Sequence, residues 1–134
     1  MINSNEILLL DDNDDTNFYN QDVVMETELF DDITVFSSPA RALEELENRL
    51  SSSIAIPGSF LIDIRMPLMD GFEFLDEFEQ LLEAHGMEEA PRIMILTTSK
   101  HKRDLEKYER STMASGYIVK PLMPASITEA FKND

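Results

Sequence analysis

Glu6-Ile7-Leu8-Leu9-Leu10-Asp11-Asp12 places four aliphatic residues in a row and then stops in two carboxylates. A strand with one wet face alternates apolar and polar residues, whereas a strand covered on both faces is apolar throughout. The run therefore predicts the first strand of a sheet with helices on either side, and it delivers an acidic pair at its end. Polar Asn13, Asp14 and Asp15 follow and suit the start of a helix that carries Tyr19, Val23 and Phe30 inward on a ragged apolar stripe.

Working outward, Ile33 to Phe36 is a second short apolar run, and Ser38 with Pro39 supplies an N-cap and first-turn proline for the next helix. Leu43, Leu46 and Leu50 share one face of that helix, and Ser51, Ser52, Ser53, Pro57 and Gly58 read as a loop. Phe60 to Ile64 is a third strand. After Gly71 a strongly periodic helix aligns Phe74, Leu75, Phe78, Leu81 and Leu82, and Gly86 marks its end. Ile93 to Leu96 is a fourth strand. The segment from Lys102 to Ser111 is mostly charged, with Leu105 and Tyr108 as anchors, so its helix should lie shallowly. Tyr117 to Val119 forms a fifth strand and Ala125 to Phe131 a final helix. Strand and helix alternate five times, which predicts an α/β fold: a doubly wound, five-stranded parallel sheet with helices on both faces.

In such sheets ligands gather beyond the carboxyl ends of the strands. The residues that follow each apolar run are Asp11 and Asp12, then Asp63, Thr97 and Lys120. Three carboxylates brought together repel one another, and a hard divalent cation with oxygen ligands relieves that repulsion, Mg²⁺ foremost at cellular concentrations. With a cation present, one carboxylate can attack a phosphoryl group while the ammonium neutralises its oxygens and the hydroxyl donates to one of them.

Composition narrows the class further. The 134 residues fit one domain with a core of its own, and there is no cysteine for a disulfide, a thiol nucleophile or a thiolate metal site. Eleven Lys and Arg face 27 Asp and Glu, a net charge of −16, which disfavours direct nucleic-acid binding and anionic membranes. The early apolar run is too short for a signal peptide or a bilayer span. His85 and His101 each stand alone and read as solvated, because metal sites need clustered ligands. The eight methionines read as core filling.

Four blocks in order carry a resemblance: Asp11-Asp12; Asp63-Ile64-Arg65-Met66-Pro67-Leu68-Met69-Asp70-Gly71; Leu96-Thr97; and Ala114-Ser115-Gly116-Tyr117-Ile118-Val119-Lys120-Pro121. The chain resembles a response-regulator receiver domain of two-component signalling, of the flavodoxin-like receiver fold, over essentially its whole length. The resemblance implies that Asp63 is the phosphoacceptor and that Asp11, Asp12, Asp63 and the backbone carbonyl of Arg65 bind Mg²⁺. It also implies that Lys120 pairs with the phosphoryl group, that Thr97 and Tyr117 form the switch pair, and that the bond before Pro121 tends to be cis. The implied partners are a histidine kinase or histidine phosphotransfer protein and a downstream effector protein. Residues 1–134 are expected to form a single cytoplasmic receiver domain without an output domain, monomeric or a weak phosphorylation-dependent dimer. It is expected to be no enzyme beyond slow autodephosphorylation. Departures from the family pattern are Thr98 in place of a smaller residue, Met113 where a glycine often ends the fourth helix, and a long stretch from Ala84 to Arg92.

Three rival readings compete with this one. Asp11 to Asp22 mimics a calcium loop but lacks its central glycine and terminal glutamate. Asp12, Asp14 and Thr16 match the nucleophile motif of haloacid-dehalogenase-type phosphatases, which need another acidic pair after the lysine, and here only Glu129 and Asp134 follow. A pseudo-receiver, docking without phosphate, would keep the fold but has no need of the acidic triad, hydroxyl and lysine.

Overall fold

The computed structural model describes residues 1–98 and 102–132; His101 and Asp134 lie outside them. The elements run β1 (Ile2–Leu10), α1 (Asp14–Thr27), β2 (Asp32–Phe36), α2 (Pro39–Ser51), β3 (Ile56–Asp63), α3 (Gly71–Ala84), β4 (Arg92–Thr97), α4 (Lys102–Arg110), β5 (Gly116–Val119) and α5 (Pro124–Phe131). All strand pairs are parallel, in the order β2-β1-β3-β4-β5.

Two cores sandwich this sheet. Leu8 and Leu10 of β1 join Phe60 and Ile62 of β3 and meet α2 and α3 through Leu46, Phe74, Leu75 and Phe78. Ile7 and Leu9, with Leu61 and Leu96, meet α1 and α5 through Val23, Val24, Ile127 and Phe131. Successive residues of one strand thus serve opposite cores, which is why β1 reads as an unbroken apolar run.

Several boundaries differ from the sequence reading. Tyr19 is 45% exposed instead of inward; its hydroxyl donates to the Leu122 carbonyl at 2.8 Å. Phe30 packs on the core from beyond α1, which has ended at Thr27. The inward face of α1 instead contains Asn17 and Asn20 beside Val23 and Val24, which explains the ragged stripe. Pro57 and Gly58 lie inside β3, where the pairing with β1 jumps from Asn3↔Pro57 to Ile7↔Ser59. Proline is tolerated there because the ladder is already broken by a bulge. A Cβ on Gly58 would sit 2.9 Å from the Asn3 carbonyl oxygen, so the bulge also demands glycine.

The starts of α1 and α2 and the end of α3 follow the predicted chemistry, and α3 adds a cap of its own. Asn13 caps α1 and Ser38 caps α2, with Pro39 at its first position. Asp70 and Glu73 form a reciprocal capping box on α3. His85 is an exposed C-cap, followed by Gly86 at φ 64°. Helix α4 buries no residue, as its charged sequence predicts.

Candidate functional site

The carboxyl ends of the parallel strands β1, β3, β4 and β5 lie along one rim, and β1 and β3 flank the point where the strand order reverses. Asp11 is 2% exposed and Asp63 6%, while Asp12 is open to solvent. One carboxylate oxygen from each of Asp11, Asp12 and Asp63 lies within 4.8 Å of the others. The Lys120 ammonium reaches Asp63 Oδ1 at 3.1 Å and Asp11 Oδ2 at 3.4 Å. Residues from opposite ends of the chain therefore share one small polar volume, as the strand-end reading predicts.

The main chain fixes this geometry. Asp11 donates its N–H to the Phe36 carbonyl at 3.2 Å, and its carboxylate accepts from the Asn13 N–H at 3.0 Å. After β3 the chain turns sharply: Gly71 N–H donates to the Ile64 carbonyl at 2.8 Å, and a Cβ on Gly71 would lie 2.7 Å from the Asp63 carbonyl oxygen. Only glycine lets α3 begin so close to the acidic strand end. Lys120 N–H donates to the Thr97 carbonyl at 2.7 Å, locking the ends of β4 and β5 together. The Lys120–Pro121 bond is cis, as the resemblance implies.

The electrostatics are unbalanced. Burial, then the charge of Asp11, pushes the Asp63 carboxyl above its usual range, although a hydrogen bond from Lys120 and its charge pull the other way. For Lys120 burial disfavours the ammonium, but the hydrogen bond and charge of Asp63, together with Asp11, more than offset it and raise its pKa. Among the described residues three carboxylates meet one ammonium, which leaves net negative charge at the rim. Asp11, Asp12 and Asp63 fit a hard divalent ion in donor type and spacing.

The remaining predicted site residues are placed less centrally. Thr97 is buried at the end of β4. Tyr117 is 36% exposed on β5, its ring edge-on to Tyr108 of α4 at 5.3 Å between centroids, so it is no core residue here. Arg65 extends from the β3–α3 loop to α4, where its guanidinium donates to Asp104 at 3.1 Å. Thr98, beside Thr97, is exposed, and Met113 packs against the core. Glu129 lies exposed on α5, so among the described residues no acidic pair follows Lys120 as the phosphatase motif requires. The sequence reading missed Asn17 and Asn20, two buried amides on α1. Their signal was the polar interruption, three residues apart, of an otherwise inward face.

An open parallel sheet with an acidic, cation-ready pocket at its switch point defines the class. Within it, the sequence matches the response regulator receiver domain over residues 7–132, and the chain belongs to that family. No curated protein matches it. Among solved structures, a two-component response regulator from Cytophaga hutchinsonii is 29% identical, with a TM-score of 0.81 over 94% of this chain and 92% of that one. The chemotaxis protein CheY4 of Vibrio cholerae is 19% identical, TM-score 0.74, with 95% of each chain covered. The receiver domain of the histidine kinase CKI1 from Arabidopsis thaliana, complexed with Mg²⁺ and BeF3⁻, is 16% identical, TM-score 0.76, covering 96% of this chain and 87% of that one. The last two likenesses speak to the fold. No helix among the described residues is long and apolar enough to cross a membrane.

Proposed function

We propose that this receiver domain takes a phosphoryl group onto Asp63 from a phosphohistidine of a histidine kinase or histidine phosphotransfer protein. The observation that carries the reading is the convergence of Asp11, Asp12 and Asp63 with Lys120 at 3.1 Å from Asp63. Asp63 attacks phosphorus in line and the partner imidazole leaves, giving an aspartyl phosphate. Asp11, Asp12, Asp63 and the Arg65 backbone carbonyl would hold Mg²⁺, which supplies charge neutralisation to the phosphoryl oxygens when bound. Lys120 balances the remaining charge, and the Thr97 hydroxyl donates to a phosphoryl oxygen. The product then biases an existing equilibrium of the Thr97–Tyr117 pair, and so of the surface that Tyr117 shares with α4, toward a downstream effector. Beyond slow loss of its own phosphoryl group the domain turns over no substrate.

A cavity of about 450 Å³ lined by Tyr19, Asn20, Lys120, Pro121 and Leu122 opens beside the acidic pocket, and exposed Phe18 and Met123 adjoin its lining residues Tyr19 and Leu122 in the chain. This combination suits a partner that covers the rim while presenting its imidazole. The test is intact mass after incubation with Mg²⁺ and acetyl phosphate. The parent is expected to gain one phosphoryl mass and Asp63→Asn none. A parent that gains nothing would point to a docking module independent of phosphate, and a gain retained in Asp63→Asn would move the acceptor elsewhere.

A further inference from the structure

Asn17 is 5% exposed, on the first turns of α1, in a position where an apolar residue would serve the core. Its Nδ2 donates to the Asp11 carbonyl at 2.8 Å and to the Phe36 carbonyl at 3.2 Å. The Phe36 carbonyl also accepts the Asp11 N–H. Its Oδ1 is buried without a hydrogen-bond partner. Exchanging the amide's nitrogen and oxygen would set Oδ1 against two carbonyls, so the donor assignment stands on chemistry. The side chain thus carries an unmatched buried acceptor, which opposes folding, and in return holds one particular piece of main chain: the peptide that joins Asp11 to Asp12.

The geometry points to Asn17 as a positioning residue for the cation pocket, acting through the Asp11–Asp12 peptide and touching neither metal nor phosphoryl group. Asp11 is held independently, by its burial and by the Asn13 N–H at 3.0 Å. Asp12 is solvent-exposed, and among the described contacts its carboxylate has no partner that would orient it. Its aim depends on the plane of the preceding peptide, and Asn17 clamps the carbonyl of that plane while tying it to the end of β2. Side chains that orient ligands without ligating are worth about 10–100-fold in metal affinity. The inference rests on the reading of the acidic pocket as a Mg²⁺ site.

Calorimetric titration with Mg²⁺ alone, on the parent, Asn17→Leu and Val24→Ala, separates positioning from mere stability. Leucine keeps the volume and removes the donor. Val24→Ala thins the core contact of the same helix without touching the turn. Asn17→Leu is expected to raise the Kd about 10–100-fold, with Val24→Ala within about twofold of the parent. An unchanged Kd in Asn17→Leu, or an equal rise in Val24→Ala, overturns the inference. If Asn17→Leu fails to fold by circular dichroism, Asn17→Ala, which removes the donor without adding apolar bulk, is judged by the same comparison. A parent that binds no Mg²⁺ overturns the pocket reading itself, and the assignment of Asn17 with it.

Discussion

Two buried carboxylates belong to the same strand: Glu6 within β1 and Asp11 just past its end. Glu6 is fully satisfied. Arg49 of α2 grips both its oxygens, at 2.8 and 3.0 Å, and Thr34 of β2 donates its hydroxyl. Burial raises the cost of its charge, but the hydrogen bonds from Arg49 and Thr34 and the guanidinium charge outweigh that cost and hold Glu6 below its ordinary value of 4.5. Asp11 shares one ammonium with Asp63 and faces a third carboxylate, and Asp63 is pushed upward. The same residue chemistry thus gives a closed structural knot midway along β1 and an open, under-neutralised pocket at the carboxyl rim. What distinguishes them, among the described residues, is how the one cation is shared: Glu6 takes a two-point grip from Arg49, whereas Lys120 is divided between Asp11 and Asp63 with Asp12 beside them.

The largest expected effect tests the closed knot. Arg49→Met removes the bidentate partner and leaves Glu6 buried, which should cost toward the lower part of the ~3–5 kcal/mol range for a broken buried pair, because Arg49 keeps some contact with water. Urea unfolding at neutral pH measures it. In the parent the Glu6 contribution is complete above the unfolded value near 4.5 and is lost as pH falls through the lower folded value. In the variant, burial without the guanidinium raises the folded value, so acid should narrow the stability gap between variant and parent. A gap that widens toward pH 4 would show that Arg49 does not govern Glu6.

In the open pocket, a cation should do what Arg49 does for Glu6. Mg²⁺ at a hundred times its Kd should stabilise the parent by about 2.7 kcal/mol. Arg49 variants should keep that increment, since their lesion lies midway along β1, away from the acidic rim. Thermal melts with and without EDTA read both, and an increment of the same size from Na⁺ at equal ionic strength would mean general screening.

Asp63→Asn sharpens the contrast from the opposite side. Without divalent ions the variant removes a buried charge whose ionisation is already disfavoured, while Lys120 retains Asp11. It should therefore be more stable than the parent in EDTA by about 0.5–2 kcal/mol, the common size of a single stabilising substitution, and less stabilised by Mg²⁺. If the variant is less stable in EDTA, the pocket is balanced like the Glu6 knot and the comparison fails.

The open pocket was legible in sequence and the closed knot was not, for a physical reason. A strand buried on both faces advertises its end by the step from Leu10 to Asp11 or from Ile62 to Asp63, and parallel topology carries every such end to one rim. Glu6 before the same run carried no such signal, because its neutralisation depends on Arg49, far away on a helix read only for its leucines. Asn17 was hidden similarly, since its partners are main-chain carbonyls that exist only once β1 and β2 pair. Pro57 and Gly58 mimicked a loop because local propensity cannot see a bulge opposite Asn3. Helix α4 was read correctly as shallow, since charge density alone forbids burial of a KRDLEKYER segment.

The smallest effect concerns an ion pair built on the surface instead of the interior. Arg65 and Asp104 join the β3–α3 loop to α4 at 3.1 Å, but Arg65 is largely exposed and water screens the pair. Asp104→Asn should therefore cost less than about 1 kcal/mol in global stability. Its consequence lies elsewhere: α4 buries no residue and is held by this pair, by Lys107 to Asp70 at 3.5 Å, and by the Tyr108–Tyr117 ring contact. Loss of one tie should speed amide exchange in α4 while leaving α3, with its buried phenylalanines and capping box, unchanged. Equal exchange in both helices of the variant and parent would mean that the Arg65–Asp104 pair contributes nothing to holding α4 and that its other contacts suffice.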